Sequence, residues 1–92
     1  MVRMTAVIVA ATLGLAAAAW ADVKSGDACA SNLSPAGKSI YAAVVAANPT
    51  IKTLRERARS QVRSMVASGK ISADAAEANG ILAAECVRVR LQ

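Results

Sequence analysis

Four cations recur at helical spacing in the middle of the chain: Lys52, Arg55, Arg59 and Arg63 follow one another by three, four and four positions. On a helix that spacing puts them on one face. A row of this kind suits anion recognition, through contact with the phosphate groups of an anionic phospholipid or lipopolysaccharide, or with an acidic partner. The plainer alternative is a solvated face with local ion pairs, because Arg55, Arg59 and Arg63 lie near Glu56 on the helical wheel. Long basic side chains also cover apolar edges while their heads stay in water.

Other chemistry finds few residues to work with. The chain has no His, so the Ser–His and Cys–His nucleophile arrangements are excluded. Asp74 and Glu77, three apart, suit the positive end of a helix more than general acid–base work. Glu85 beside Cys86 reads as an exposed neighbour. Cys29 and Cys86 stand 57 positions apart, which is neither a zinc or haem signature nor a Cys-x-x-C redox motif. No catalytic residue, cofactor or metal ligand is expected, and the protein is read as a non-enzyme.

Residues 1–21, MVRMTAVIVAATLGLAAAAWA, read as a signal peptide. Arg3 is a short positive start, Ala6 to Ala19 is an uncharged apolar run of 14 residues, and Ala19-Trp20-Ala21 has the small-x-small form of a cleavage site. The expected cut lies between Ala21 and Asp22. The run is shorter than the roughly 20 residues a membrane span needs, so the mature form is expected to lack a stable span and to be periplasmic or secreted. Removal of Arg3 leaves ten Lys and Arg against six Asp and Glu, a net charge of +4. Trp20 leaves too, so Tyr41 becomes the only aromatic residue. A single Tyr gives single-stranded nucleic acid no stacking platform, and export removes the usual nucleic-acid context, so no such partner is expected.

The remaining chain of about 71 residues is one domain with an alanine-rich core near the lower limit for independent stability. Two cysteines in a small exported domain point to a disulfide between Cys29 and Cys86. The loop it closes would stabilise the fold by roughly 4 kcal/mol in the chain-entropy account.

The periodicity is helical throughout, and no stretch alternates as a strand would. Residues 22–33 carry Gly26 and show no period, so they read as an extended arm. Ser34-Pro35 pairs an N-cap with a proline at the first helical position and opens a first helix, whose apolar face is Ile40, Tyr41, Val44 and Val45. Asn48-Pro49 repeats the signal with no room for a loop, which predicts a sharp bend into a second helix over 49–68. There Ile51, Leu54, Ala58, Val62 and Met65 form the apolar stripe beside the basic row. Gly69 is a stop. Ser72 caps a third helix with Ile71 as a staple and Asp74 in its first turn; its expected stripe is Ala75, Ala78, Leu82, Cys86 and Val89, with Arg88 and Arg90 near its end. Gly80 within it suggests close approach of another helix across an alanine-rich surface. The short link makes the second and third helices an antiparallel hairpin.

Cys86 falls about 14 residues beyond the third helix's cap, roughly 20 Å from the hairpin turn, so Cys29 must reach that level. Either the first helix crosses the hairpin obliquely or residues 29–34 run back along it. The crossing is the expected arrangement, because Asn48-Pro49 allows a bend more easily than a reversal. The expected fold class is all-α: a signal segment over 1–21, an arm over 22–33, and a three-helix domain over 34–92 with one disulfide.

Ala28-Cys29, Leu33-Ser34-Pro35, Ile40-Tyr41, Gly69-Lys70-Ile71-Ser72 and Cys86 together resemble a class of small exported helical proteins of Gram-negative bacteria. That class carries no assigned activity, so the resemblance implies compartment and architecture and transfers no site residue. Leu33-Ser34-Pro35 is also similar to the Leu-Thr-x-x-Gln motif of envelope-stress helical chaperones, with Gly37 in place of the Gln. The function expected is binding without catalysis, to a protein or an anionic envelope lipid, through the basic stripe and its apolar edge. The rival expectation is a cationic amphipathic protein that binds or perturbs anionic membrane surfaces.

Overall fold

The computed structural model of the chain describes residues 22–92, and these are all-helical. The expected signal peptide, and Ala19 and Ala21 of its cleavage site, lie outside the described residues; Asp22 is the first residue inside them. Four helices follow in order: α1 over 22–31, α2 over Pro35–Ala46, α3 over Leu54–Ala67 and α4 over Ala73–Leu91. The expected extended arm is therefore corrected to a helix, α1, which adds to the three helices expected over 34–92. The signal for α1 was hidden in small residues. Gly26 and Ala30 are buried and Cys29 half-buried, a helical stripe of small residues, and the half-buried Leu33 lies just past the end of the helix.

Side-chain caps and one glycine stop set several of the boundaries. The α1 carbonyl of Ala28 accepts from Ser31 Oγ at 2.7 Å and Asn32 Nδ2 at 3.3 Å, which serves an acceptor left open by the end of the helix. Ser34 Oγ then accepts from the Gly37 N–H at 3.1 Å and Pro35 occupies the first turn of α2, as expected. Gly69 adopts φ +77°, and the Lys70 and Gly69 N–H groups return to Met65 and Val66 carbonyls at 2.9 and 3.1 Å. That is the Schellman closure expected of a glycine stop. Ser72 accepts from the Ala75 N–H at 3.1 Å and starts α4.

The bend at Asn48-Pro49 is longer than expected. Asn48 takes the left-handed conformation, φ +54°, which Asn tolerates better than most residues. Pro49 is buried, and α3 proper begins at Leu54 rather than Pro49. Thr50 and Thr53 bridge the gap reciprocally: the Thr50 N–H donates to Thr53 Oγ1 at 2.8 Å and the Thr53 N–H to Thr50 Oγ1 at 3.2 Å. This is the hydrogen-bond logic of a capping box with Thr in place of Glu.

All three other helices pack around α4. Cys29 is bonded to Cys86 with a Cα–Cα distance of 5.4 Å, and Gly26 lies against Arg90, so α1 runs antiparallel to the C-terminal half of α4. Ser34 Oγ donates to Asn79 Oδ1 at 2.7 Å, whereas Val45, Asn48 and Pro49 sit beside Val87, Arg90 and Leu91. From those two ends α2 follows α4 in the same direction. The run-back of residues before Ser34 thus satisfies the disulfide, and the oblique crossing expected of the first helix is not needed. The α3–α4 hairpin closes over Gly69 as expected.

Ile40, Val44, Val87 and Cys86 are the largest fully buried side chains; Tyr41, Leu54, Ala58, Met65, Ala83 and Ala30 complete the core around them. The expected stripe of the last helix is corrected. Ala76, Ala83, Cys86 and Val87 are its buried residues, while Leu82 is 55 % exposed and Ala78 is exposed. Alanines lie on every side of this helix, so the apolar pattern carries little directional signal. Contacts from the other three helices decide which arc is covered. Val62 of the α3 stripe is half-buried, and Ile51, in the turn before α3, is exposed.

Candidate functional site: a groove between α3 and α4

The antiparallel α3–α4 pair leaves an open groove of about 1000 Å³ on the side away from α1 and α2. Leu54, Ala58 and Val62 from α3 and Ala76, Gly80 and Ala84 from α4 form its apolar floor. The small residues keep it deep. A Cβ added at Gly80 would meet only Val62 Cγ2, at 4.0 Å, an ordinary van der Waals distance, so the close helix approach expected at Gly80 is absent. The glycine that a close approach does require is Gly26, where a Cβ would fall 2.4 Å from Arg90 Cβ.

All four residues of the predicted basic row line this groove, with Lys52 in the turn before α3 and Arg55, Arg59 and Arg63 on the helix. All four are exposed. The local pairing with Glu56 that the alternative reading of the row would use is not formed. Among the described residues the ion pairs are Arg88–Glu85 at 3.6 Å and Arg90–Asp27 at 3.1 Å, and neither involves the row. The opposite rim differs in sign, with Glu77 and Glu85 on α4 and Arg88 beside Glu85. Ile51 and Ile81, 55 % and 76 % exposed, add apolar surface at the edges.

A second polar cluster lies at the far end of α4. Tyr41 Oη donates to Asp27 Oδ1 at 2.8 Å, and Arg90 Nη1 donates to the same oxygen at 3.1 Å. Burial chiefly, then the hydrogen bond to Asp27, raises the Tyr41 phenol above its ordinary value of 10.0, with Arg90 pulling the other way. Each of the three side chains has its partner inside the cluster, so this is a lock between α1, α2 and α4. The sequence reading missed it because Asp27 sat in the presumed arm. Asn79 was also missed: it donates from Nδ2 to the Ala75 carbonyl at 2.8 Å and accepts from Ser34.

Cys29 and Cys86 are bonded as expected, and there is no free thiol among the described residues. No group of three or more His, Cys, Asp or Glu among them is placed to hold a metal ion. No helix of the described residues is long and apolar enough to cross a membrane. No protein-family model, no curated protein and no solved structure matches this chain.

Proposed function

We propose that this is a small exported protein, held by one disulfide, that acts by binding an anionic amphiphile in the α3–α4 groove. The observation that carries the reading is the set of four cations, in no ion pair among the described residues, along the rim of an apolar, solvent-open groove. Apolar floors bury the body of a ligand, and a few charged groups at the edge orient it. Here the floor takes the hydrocarbon, and Lys52, Arg55, Arg59 and Arg63 take the phosphate group. Arginine suits that task because its planar fork binds phosphate in two places at once. Export to the periplasm or beyond is consistent with the Cys29–Cys86 bond, since disulfides persist in oxidising compartments.

A second reading has one specific observation behind it: Ile51 beside the cationic row and Ile81 on the facing rim are exposed, as residues that insert into an anionic lipid surface are. Dodecyl phosphate below its micellar concentration tests the first reading by calorimetric titration. The wild-type protein should bind it, and R55Q/R59Q/R63Q should bind about tenfold more weakly, because exposed charge pairs contribute up to about 1 kcal/mol each. Dodecanol and inorganic phosphate alone should bind more weakly than the combined ligand. Binding only to vesicles rich in phosphatidylglycerol selects the membrane reading, and binding to none of these probes rejects both.

A further inference from the structure

The two rims of the groove carry opposite charge, and the acidic one also carries the most exposed large apolar side chain described, Ile81 at 76 %. On α4, Glu77, Ile81 and Glu85 succeed one another at four-residue intervals and therefore share one stripe. This stripe is apolar at its centre and acidic one turn to either side. The groove beside it has the complementary form, an apolar floor flanked by the cations of α3. We propose that the α3–α4 face pairs with a second copy of this chain about a two-fold axis near Ile81, so that α4 of each copy lies in the groove of the other.

The register follows from the fold. Val62 of α3 faces Gly80 of α4, and the two helices run antiparallel. A two-fold axis at Ile81 makes the second α4 antiparallel to the first, hence parallel to the α3 it lies against. Its Glu77 and Glu85, each about 6 Å along the helix from Ile81 at 1.5 Å per residue, then fall level with Arg59 and Arg63 respectively, within reach of long side chains. They also fall level with Glu85 and Glu77 of the first α4, so the pairing depends on the arginines neutralising the carboxylates of both copies. Both Ile81 side chains leave water over an apolar floor whose α4 side is Ala76, Gly80 and Ala84 and whose α3 side includes Leu54 and Val62. The resulting cross-section is a four-helix bundle, an arrangement two helical hairpins reach readily. A planar anionic surface does not match this face equally well, because Glu77 and Glu85 would meet it together with the arginines. No ion pair among the described residues neutralises the row, and the Glu85–Arg88 contact is exposed on both sides, so it holds Glu85 weakly. A two-fold interface uses the same patch twice, and here that patch supplies both signs.

The inference is separate from the ligand reading and excludes simultaneous occupancy, since pairing covers the groove. Sedimentation equilibrium of the oxidised protein, as isolated from the cells that make it, measures the association directly, with helical circular dichroism confirming the fold of every variant. The wild type should sediment as a dimer at high concentration, and its association should weaken as salt rises. I81D should be monomeric. E77R/E85R and R59E/R63E should each weaken association about tenfold or more, and the four substitutions combined should restore it to within about threefold of wild type. A wild type that stays monomeric at every concentration overturns the proposal and leaves the groove to a ligand. So does an I81D variant that dimerises like wild type, or a combined variant no better than its parents.

Discussion

Gly26 and Gly80 both lie in helices, yet alanine should act on them with opposite sign. A Cβ at position 26 would stand 2.4 Å from Arg90 Cβ, 2.9 Å from Arg90 Cα and 3.0 Å from Tyr41 Oη. Carbon atoms in good contact sit at roughly 3.5–4.0 Å, so α1 and α4 would have to part by about 1 Å. The Cys29–Cys86 bond one turn further along resists that movement. Overpacking of this kind costs about 1–3 kcal/mol, against a gain of up to about 1 kcal/mol from replacing a helical glycine. With the full gain taken, the net expectation is a loss of up to about 2 kcal/mol. At Gly80 the nearest atom is 4.0 Å away, so the helix-propensity gain of about 0.5–1 kcal/mol stands alone. In a domain of this size 1 kcal/mol moves the melting temperature by about 4–8 °C. Thermal melts of oxidised protein followed by circular dichroism should therefore place G26A below wild type and G80A above it. G26A melting at or above wild type would refute the close α1–α4 packing, and G80A melting below wild type would refute an uncovered groove floor.

Three further outcomes follow from the same structure. Reducing the disulfide and blocking both thiols should remove about 4 kcal/mol, a large part of the roughly 5–15 kcal/mol of an ordinary domain. The helical signal should then be largely lost at growth temperature, and a melting point unchanged within about 4 °C would contradict the disulfide's role. Tyr41 is the chain's one tyrosine, so its phenolate absorbance reports its titration directly, and its midpoint should lie above 10.0. Because the folded state holds this proton more tightly than the unfolded state, the linked stability is fully present below about pH 10 and is lost as pH rises through the folded value. Y41F should lack that alkaline loss, and equal alkaline profiles would contradict it. S34A removes the cap on Gly37 and the bond to Asn79, and denaturant titration should show a loss of about 1–2 kcal/mol.

The features legible in the sequence are those fixed by local chemistry. Ser34, Gly69 and Ser72 each mark a helix end through a hydrogen bond or a backbone conformation belonging to that residue type, and all three act as read. The basic row was legible because charge at a spacing of three and four has a direction. Two failures share one cause, the weak signal of small residues. The stripe of Gly26, Cys29 and Ala30 looked like loop, and the alanines of α4 gave no hint that Ala76, Ala83 and Val87, and not Leu82, face the core. The groove itself was out of reach of the sequence. It exists because Ala58 of one helix and Gly80 and Ala84 of the next line its floor with small side chains, and its acidic rim appears only once Glu77 and Glu85 are placed across from the basic row.

Amide chemical-shift mapping of the isotopically labelled, oxidised protein during titration with dodecyl phosphate tests binding in the α3–α4 groove most directly. Saturable shifts should concentrate at Lys52, Arg55, Arg59 and Arg63 and at Gly80 and Ala84 across the floor, and should be strongly reduced in R55Q/R59Q/R63Q. Shifts centred on the Asp27–Tyr41–Arg90 cluster, shifts of equal size in the triple variant, or no shifts at all would contradict it.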